Sequence, residues 1–593
     1  MKKAVKRIFA GLLALALVLG SSSFSGSALA AGSKKVNGTF KMGTSCYDWG
    51  EAITSVVVDL KSEVDAKSVS AKDFKFTNDY SYFDYGVYAN VEGTVEREVE
   101  SVSVSGSKVT LNLKTVNNSQ FLLTEMAEKT AKVELVSKVT VGGTAVDKKS
   151  TFTFKGTTNA IVDEFLDLET ENLTYRLFVP KKLTGKNPLF VWIHGAGESG
   201  NNNRAQIVGN MVTNWAKDDA QAILDNAFIL APQYDGDRAV AGSWGHNPAW
   251  IMEAIQKTLR EYDIDENRIY VGGCSMGGAG TVNMLKNYPN FFAAAFPICA
   301  AGELTDEDCA KIAAPAAKGK KTTAIYLIHC IEDNTCNPNA TFHMYSRLMN
   351  AYKALGVKES KAPVYAALFS ECDYDGLMDG LQPYMSHFSW VYPQHNFDGL
   401  GDDYDGKNFI SSNDKKDWYV KRDGESYDWC VEDGVIKFKD IVVTKATYDG
   451  EDVTSNYGWL PYQLPDYDES KLVKETKEEI LTIKTVRPSE IGKGYADFLT
   501  WISAQSLEKT FKVSAKAASG SHKLTWSEVN GAKKYVVFGG KKGSALVKLG
   551  TVSSAKFTNK KVSGAYEYVV YAYAKNANGK WERIGKSAKV SVK

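Results

Sequence analysis

The chain has 593 residues, enough for two to four domains. Its composition, 44% hydrophobic and 24% charged, is that of a folded globular protein and excludes a chain that is disordered throughout. The net charge is +1, and removal of the four cations near the N-terminus would leave it at −3. This near-neutral balance gives no support for a nucleic-acid partner.

The first 30 residues have the pattern of a secretory signal. Basic residues at positions 2–7 precede an apolar run at 8–19, and small residues follow up to Ala30. The apolar run is too short to span a bilayer, which needs about 20 residues. We therefore expect cleavage after Ala30 and a secreted protein, released or loosely associated with the cell wall, with no membrane partner after signal removal.

Residues 35–160 have the alternating, turn-separated pattern of an immunoglobulin-like β-sandwich. Strand-like segments cover residues 53–60, 107–113 and 131–136.

The pattern changes between residues 165 and 508, where short apolar strands alternate with helical segments. Several strands are apolar on both faces, which is typical of parallel strands covered by helices on two sides. The prediction is an α/β-hydrolase fold, with a doubly wound, mostly parallel sheet, and with residues 396–490 as an insertion near the site. The predicted strands lie at 175–179, 189–193, 228–231, 269–272, 293–297, 324–328 and 364–369, and the predicted helices at 250–261, 277–287 and 496–505.

Residues 510–593 form a second predicted β module. Strand-like segments at 524–526, 535–538, 566–571 and 588–592 resemble a fibronectin type III domain. We expect its Trp and Tyr residues to fill the core of a sandwich rather than to form a sugar-stacking platform.

The motif Gly273-Cys274-Ser275-Met276-Gly277 lies between a predicted strand and a predicted helix. This is the pattern of a nucleophile elbow, where a tight turn requires glycine on both sides of the serine. The free N–H groups of the helix N-terminus favour a developing negative charge at this point. We predict Ser275 as the nucleophile.

A catalytic serine needs a base, and the base needs an orienting carboxylate, in the chain order serine, acid, histidine. Asp333, in the loop after the strand at 324–328, is the predicted acid, and the neighbouring Glu332 is the alternative. Of the seven histidines, His387 and His395 fall in the expected interval. We predict His387 as the base because it directly follows the strand at 364–369 and its loop.

Two backbone N–H groups should form the oxyanion hole. Met276, the residue after the nucleophile, should supply one, and Ala196 or Gly195, after the strand at 189–193, the other. We expect His194 to brace this loop. The chemistry requires no cofactor and no metal.

Eight cysteines are compatible with disulfides outside the cell, although the sequence does not give their connectivity. Cys299 with Cys309, and Cys330 with Cys336, are close enough in sequence to bridge local loops. The acidic stretch 398–405 does not have EF-hand spacing, so we interpret it as a solvated loop rather than a calcium site.

These motifs together resemble the bacterial esterases related to polyhydroxybutyrate depolymerases and feruloyl esterases. The resemblance covers residues 40–395 and the helix near 500, and is closest to a subgroup with an N-terminal immunoglobulin-like domain. It implies an α/β-hydrolase fold and an N-terminal domain that takes part in homo-oligomer assembly and in shaping the site. That family usually has glycine where Cys330 and Ser386 stand here. The matching segments are His194-Gly-Ala-Gly-Glu-Ser-Gly200, Ala231-Pro-Gln233, Gly273-Cys-Ser-Met-Gly-Gly278, the Asp333 loop and His387-Phe-Ser-Trp390.

The sequence thus predicts a secreted serine carboxylic-ester hydrolase that works through an acyl-enzyme. Export and two β modules suggest acetyl or feruloyl esters of plant polysaccharides as substrates, by association with architecture alone. One alternative is a serine peptidase of prolyl-oligopeptidase type, which usually has a large propeller in place of the short N-terminal sandwich. Another is a non-catalytic carbohydrate-binding or adhesion protein, which the intact serine, acid and histidine argue against.

Overall fold

A computed structural model describes the chain from residue 34 to residue 592 with internal gaps. The gaps are residues 49, 85–88, 116–123, 185–186, 236–244, 371, 373–385, 399–407, 420–428, 455–463, 465, 493, 508–509, 530–531 and 576–580. The predicted signal segment, residues 1–30, and most of the acidic stretch 398–405 lie outside the described residues.

The N-terminal region consists of β-sheets around one apolar core that includes Phe40, Val56 and Phe76. Its strands are β1 Asn37–Tyr47, β2 Gly50–Asp59, β3 Phe74–Asp84, β4 Ala89–Arg97, β5 Val99–Ser105, β6 Lys108–Leu113, β7 Lys132–Leu135, β8 Val139–Val141, β9 Thr144–Val146 and β10 Thr151–Thr158, with helix α1 at Thr124–Thr130. The sheets have the orders β10-β1-β2-β6-β5, β4-β3-β7 and β8-β9. Strand β1 pairs in parallel with β10 and antiparallel with β2, so the chain closes the region by returning to its first strand.

The central region is built on an eight-stranded sheet. Its strands are β11 Phe165–Glu169, β12 Thr174–Phe178, β13 Asn187–Ile193, β14 Phe228–Gln233, β15 Ile264–Cys274, β16 Ala294–Ile298, β17 Ala324–Cys330 and β18 Val364–Phe369. The order is β11-β12-β14-β13-β15-β16-β17-β18, in which β11, β12 and β14 pair antiparallel and every later pair is parallel. The mostly parallel arrangement agrees with the doubly wound sheet predicted from the sequence.

Helices cover both faces of this sheet, and strand β13 shows why its sequence is apolar throughout. Phe190 and Trp192 belong to the core on one face, and Leu189, Val191 and Ile193 to the core on the other. The helices are α2 Ala205–Val208, α3 Asp218–Ile223, α4 Pro248–Glu261, α5 Met276–Asn287, α6 Asp306–Ala313, α7 Asn339–Ala354, α8 Val391–Gln394, α9 Pro488–Ile491 and α10 Phe498–Ser503.

Helix α4 begins two residues earlier than predicted. The Asn247 side chain accepts a hydrogen bond from the Ala249 N–H, and Pro248 occupies the first helical position, where its missing N–H costs nothing.

The predicted insertion carries a small antiparallel sheet with strands β19 Lys416–Tyr419, β20 Trp429–Glu432, β21 Val435–Tyr448, β22 Glu451–Asp452 and β23 Leu472–Ile483. Strand β21 is the centre of this sheet and pairs with β20, β22 and β23. The sheet packs on helix α7, where the rings of Phe342 and Phe438 stack at 5.1 Å. The segment before it also extends the central sheet, because the Ile410 N–H bonds to the Leu368 carbonyl at 2.9 Å. The insertion is therefore continuous with the central region at both points.

The C-terminal region has strands β24 Thr510–Phe511, β25 Val513–Ala518, β26 Ser521–Trp526, β27 Lys534–Lys541, β28 Val547–Val552, β29 Lys556–Lys560, β30 Tyr566–Lys575, β31 Trp581–Ser587 and β32 Val590–Val592. One sheet has the order β24-β31-β30-β27-β28 with β32 beside β30, and the other β25-β26-β29. Trp526, Tyr535 and Tyr568 are buried in one core, which supports the core role expected for these aromatics. An ion pair of 2.9 Å between Arg583 and Glu266 joins this region to the central one.

Among the residues that the structure describes, no helix combines the length and the apolar character needed to cross a membrane.

Candidate active site

Ser275 lies in the turn between β15 and α5 and has backbone angles of φ 56° and ψ −119°. A residue with a side chain adopts such a positive φ only at a cost of about 1–3 kcal/mol, which is typical of functional turns. The turn also leaves no space for side chains on either side. A Cβ on Gly273 would lie 2.3 Å, and one on Gly277 2.0 Å, from the Ile193 carbonyl oxygen. The predicted requirement for both glycines is therefore visible as close backbone approaches.

The backbone around Ser275 is held from both sides. Its N–H bonds to the Ile298 carbonyl at 3.0 Å and lies 3.3 Å from the Cys299 sulfur, and its carbonyl accepts the Ala279 N–H at 3.0 Å. Met276 is the first helical residue, so its N–H has no acceptor within the helix. This is the position expected of an oxyanion donor.

Asp333 and His387 form a buried hydrogen-bonded pair. The His387 Nδ1–H donates to Asp333 Oδ2 at 2.7 Å. The Asp333 side chain is fully buried, and its Oδ1 accepts the N–H groups of Thr335 and Cys336 at 2.8 and 3.0 Å. Burial alone would raise the pKa of Asp333, but hydrogen bonds and charge from His329 and His387 outweigh it and hold the pKa well below its ordinary range. The carboxylate therefore stays ionised, which orients the imidazole and stabilises its protonated form.

The predicted serine and the acid–histidine pair lie on the same side of the sheet edge, beyond the carboxyl ends of β15 and β17, and two cysteines contact both. The Cys299 sulfur, which accepts the Ser275 N–H, lies together with the Asp333 carboxylate and a ring nitrogen of His387 within 4.8 Å of one another. The Cys336 sulfur lies 4.0 Å from the Ser275 hydroxyl oxygen. Each of the two cysteines thus lies close both to Ser275 and to the acid–histidine pair.

The group formed by Cys299, Asp333 and His387 does not fit a metal ion. Burial raises the pKa of the Cys299 thiol, which opposes the thiolate that a metal would need. The Nδ1–H of His387 already donates to the Asp333 carboxylate.

The alternatives to the predicted acid and base lie elsewhere. His395 donates through Nε2 to Asp48 of the N-terminal region at 2.5 Å, so it joins two regions of the chain. Glu332 is partly exposed, whereas the buried Asp333 makes the contact with His387.

The loop after β13 forms a short 3₁₀ turn at Ala196–Glu198. The Glu198 carboxylate accepts a hydrogen bond from the Gly195 N–H. Gly195 and Ala196 are the two predicted candidates for the second oxyanion donor, and of these Ala196 is the exposed one. His194 braces the loop, because its Nδ1–H donates to the Gly195 carbonyl at 2.6 Å and its Nε2 accepts the Tyr234 N–H at 2.9 Å. Burial lowers the pKa of His194 well below its ordinary value, so this histidine stays neutral.

Two residues at the site have no role in the prediction from sequence. His329 lies on β17, and its Nε2 is 3.3 Å from Asp333 Oδ2. The spacing of four residues between His329 and Asp333 is the sequence feature that could have indicated this contact. Glu198 stands inside a motif used for the resemblance, but its carboxyl group lies between Gly195 and Gly209, and only the fold brings Gly209 there.

The cysteines are arranged differently from the local bridges considered above. Cys299 and Cys309 belong to cores on opposite faces of the central sheet, so they do not face each other. Cys330 faces Cys372, with sulfur atoms 3.1 Å apart, instead of Cys336. The reason is that Cys330, the last residue of β17, is paired with Phe369, the last residue of β18, and Cys372 follows three residues later, whereas the Cys336 sulfur lies beside Ser275.

Comparison with known proteins shows that the N-terminal region matches a described protein family. Residues 41–166 match the family described as the esterase Ig-like N-terminal domain. The chain carries an esterase-type Ig-like domain at its N-terminal end. This confirms the resemblance to esterases with such a domain that the sequence motifs indicated.

Sequence relatives are also esterases. The bifunctional acetylxylan esterase/xylanase XynS20E of Neocallimastix patriciarum is 23% identical over 165 residues, which are 27% of this chain and 21% of that protein. Feruloyl esterase B of Neurospora crassa is 29% identical over 135 residues, 21% of this chain and 42% of that protein. The chain therefore spans less than half the length of either relative.

Among solved structures, the crystal structure of a thermostable esterase is similar with 23% identity and a TM-score of 0.45. The match covers 60% of this chain and 96% of that one.

Proposed function

We propose that this chain is a secreted serine carboxylic-ester hydrolase with Ser275 as nucleophile, His387 as base and Asp333 as the orienting acid. The observation that carries the proposal is the strained, positive-φ turn at Ser275, placed beside a buried histidine–carboxylate pair. A serine with a purely structural role would not require this strained backbone conformation. A buried, ionised carboxylate in the loop after β17 is the partner that a catalytic base requires.

In the first half of the reaction, the Ser275 oxygen attacks the ester carbonyl while His387 Nε2 takes the hydroxyl proton. The N–H groups of Ala196 and Met276 stabilise the tetrahedral oxyanion. The protonated His387, held by Asp333, then donates its proton to the leaving alcohol as the C–O bond breaks. Water repeats these steps on the acyl-enzyme, releasing the carboxylic acid and restoring the serine.

The proposed substrates are acetyl or feruloyl esters on plant polysaccharides. Support comes from the names of the two sequence relatives, an acetylxylan esterase and a feruloyl esterase, together with the export signal expected in residues 1–30. A C-terminal fibronectin type III-like module at 510–593 and homo-oligomer assembly through the N-terminal domain complete the proposal.

Hydrolysis of p-nitrophenyl acetate and methyl ferulate by the mature protein tests this function. We expect Ser275→Ala to lose at least 10³-fold in kcat, since a serine nucleophile has no substitute. Ser346→Ala, which changes an exposed serine on α7, is the matched control and should keep full activity. Equal activity of wild type and Ser275→Ala would refute the serine mechanism. The ratio of the two rates for the wild type indicates the preferred acyl group.

A further inference from the structure

A second group of ionisable side chains lies away from Ser275, where the inserted sheet meets helix α7. His343 of α7 lies between carboxylates from three other parts of the chain. Its Nδ1 is 3.1 Å from Glu303 Oε2, its Nε2 is 3.3 Å from Glu479 Oε1, and the same Nε2 is 3.8 Å from Asp440 Oδ2. Glu303 precedes α6, Asp440 lies on β21 and Glu479 on β23.

Counting hydrogen bonds shows that a positive charge is needed between His343 Nε2 and the carboxylates of Asp440 and Glu479. A neutral imidazole has a single N–H, yet both ring nitrogens of His343 face carboxylate oxygens, which only accept. If the Nδ1–H donates to Glu303, the lone pair of Nε2 points at two carboxylates. Either a second proton or a cation must lie between them.

The carboxylates on β21 and β23 also face each other across the two strands. Asp440 and Glu479 are directly paired in the antiparallel register of β21 and β23, so their side chains share one face, and like charges placed opposite destabilise a sheet. The Asp440 side chain is 7% exposed, its Oδ1 accepts a hydrogen bond from the Asn339 amide at 3.4 Å, and its Oδ2 lies 3.8 Å from His343 Nε2. A carboxylate that is removed from most of the surrounding water is costly unless a cation compensates its charge.

The remaining charges favour a divalent ion. Arg347 Nη1 lies 3.0 Å from Glu303 and neutralises that carboxylate. Lys439 pairs with Glu478, whose side chain is on the other face of the sheet from Glu479. When His343 Nε2 carries no proton, Asp440 and Glu479 are left with two negative charges beside it.

We propose that His343 Nε2, Asp440 Oδ2 and Glu479 Oε1 bind a divalent transition-metal ion of the zinc type. Tetrahedral zinc, with bonds of about 2.1 Å to nitrogen and oxygen, places its donor atoms about 3.4 Å apart, close to the distances of 3.3 and 3.8 Å here. Glu303 on the other ring nitrogen is the carboxylate partner that fixes the tautomer of metal-binding histidines. Calcium and magnesium are disfavoured because they prefer all-oxygen sites.

The ion would act as a structural link. It joins both long strands of the inserted sheet to helix α7, and α7 follows directly after the loop that carries Asp333. Three protein donors leave the fourth zinc position to water. This role is independent of the proposed ester hydrolysis.

Calorimetric titration of the chelator-treated full chain with Zn²⁺ tests the site. We expect one equivalent to bind and the melting temperature to rise, and bound Co²⁺ to give the visible absorption of a four-coordinate ion. His343→Gln and Asp440→Asn should each weaken binding at least tenfold, and Glu303→Gln should weaken it about 10- to 100-fold through the tautomer. Glu478→Gln, one residue along β23 on the opposite face, is the matched control and should bind as the wild type does.

Absence of Zn²⁺ binding by the folded wild type would overturn the proposal and assign the second positive charge to a proton on His343. Binding that His343→Gln and Asp440→Asn leave unchanged would also overturn it, because the ion would then lie elsewhere. The Co²⁺ spectrum of the wild type needs no variant, so a variant that fails to fold does not remove the test.

Discussion

Glu198, beside the proposed oxyanion hole, should make the protein less stable as the pH rises. Its carboxyl group is enclosed by Gly195 and Gly209, and burial raises its pKa to about 7, against hydrogen bonds from Asn210 and Gly195 that lower it. Between the ordinary glutamate pKa and about 7, the folded state holds a proton that the unfolded state has lost. Unfolding then releases a proton, so stability falls across this window and becomes constant above it.

The size of the effect follows from the two pKa values. A carboxyl group with a pKa of 4.5 unfolded and about 7 folded makes the protein about 2.5 kcal/mol less stable at pH 8 than at pH 5. Because Glu198 is partly exposed, we expect about 2 kcal/mol. Glu198→Gln removes the titration and keeps an oxygen for the Gly195 N–H. The Asn210 oxygen, which has no partner in the wild type, can accept from the new amide after a side-chain flip.

Urea unfolding of wild type and Glu198→Gln at pH 5 and pH 8 measures this difference. The variant should gain about 2 kcal/mol on the wild type between the two pH values. Glu171→Gln, which changes an exposed glutamate in the same region of the chain, is the control and should show no such gain. Parallel pH dependence in wild type and Glu198→Gln would refute the reasoning, because the carboxyl group would then titrate alike in both states.

Three further predictions concern the site and its surroundings. Asp333→Asn should lower kcat for p-nitrophenyl acetate by about 10³–10⁴-fold with little change in KM, and a loss below tenfold would contradict the role of this carboxylate. Gly277→Ala should cost at least about 3 kcal/mol in urea unfolding, because the new Cβ meets a main-chain oxygen at 2.0 Å, whereas Gly197→Ala meets no atom within 4 Å and should be nearly neutral. In protein folded in the presence of oxidised glutathione, Cys330 and Cys372 should form a disulfide, with the glutathione disulfide reduced to two thiols. Thiol titration in denaturant should then find two fewer thiols than the eight of the reduced chain, and finding all eight would exclude the bridge.

The sequence predicted those parts of the molecule in which neighbours along the chain determine the structure. The strands of the central sheet appear as apolar runs because both of their faces are buried, and the elbow appears as a glycine-bounded serine because the turn excludes side chains. The acid and base could be proposed because the chain order of this chemistry restricts the candidates. The hydrogen bond between Asp333 and His387 brings together the two residues that this order selected.

Contacts between segments that are distant along the chain have no comparable pattern in the sequence. The pairing of Cys330 with Cys372 follows from the place where the chain leaves β18, and short sequence spacing favoured other partners. The group around His343 forms only when β21 and β23 pack on α7, so no spacing rule could have found it. The insertion was predicted as one unit, yet its first residues extend the central sheet, because hydrogen bonding along the exposed edge of β18 is not encoded by a local apolar pattern.

The parallel sheet accounts both for the strained backbone of Ser275 and for the position of the loop that carries Asp333. The Ser275 N–H bonds to the end of β16, and the Ile331 N–H, in the loop that carries Asp333, bonds to the Phe369 carbonyl at the end of β18 at 2.7 Å. The register of four adjacent strands thus fixes both the nucleophile turn and the acid loop, and each strand is buried on two faces. The turn keeps its positive φ because relaxing it would break hydrogen bonds to a rigid neighbour. The inserted sheet reaches this framework through α7 and the edge of β18, so changes in the insertion can alter the surroundings of the proposed site while the strand register keeps Ser275 and Asp333 in place.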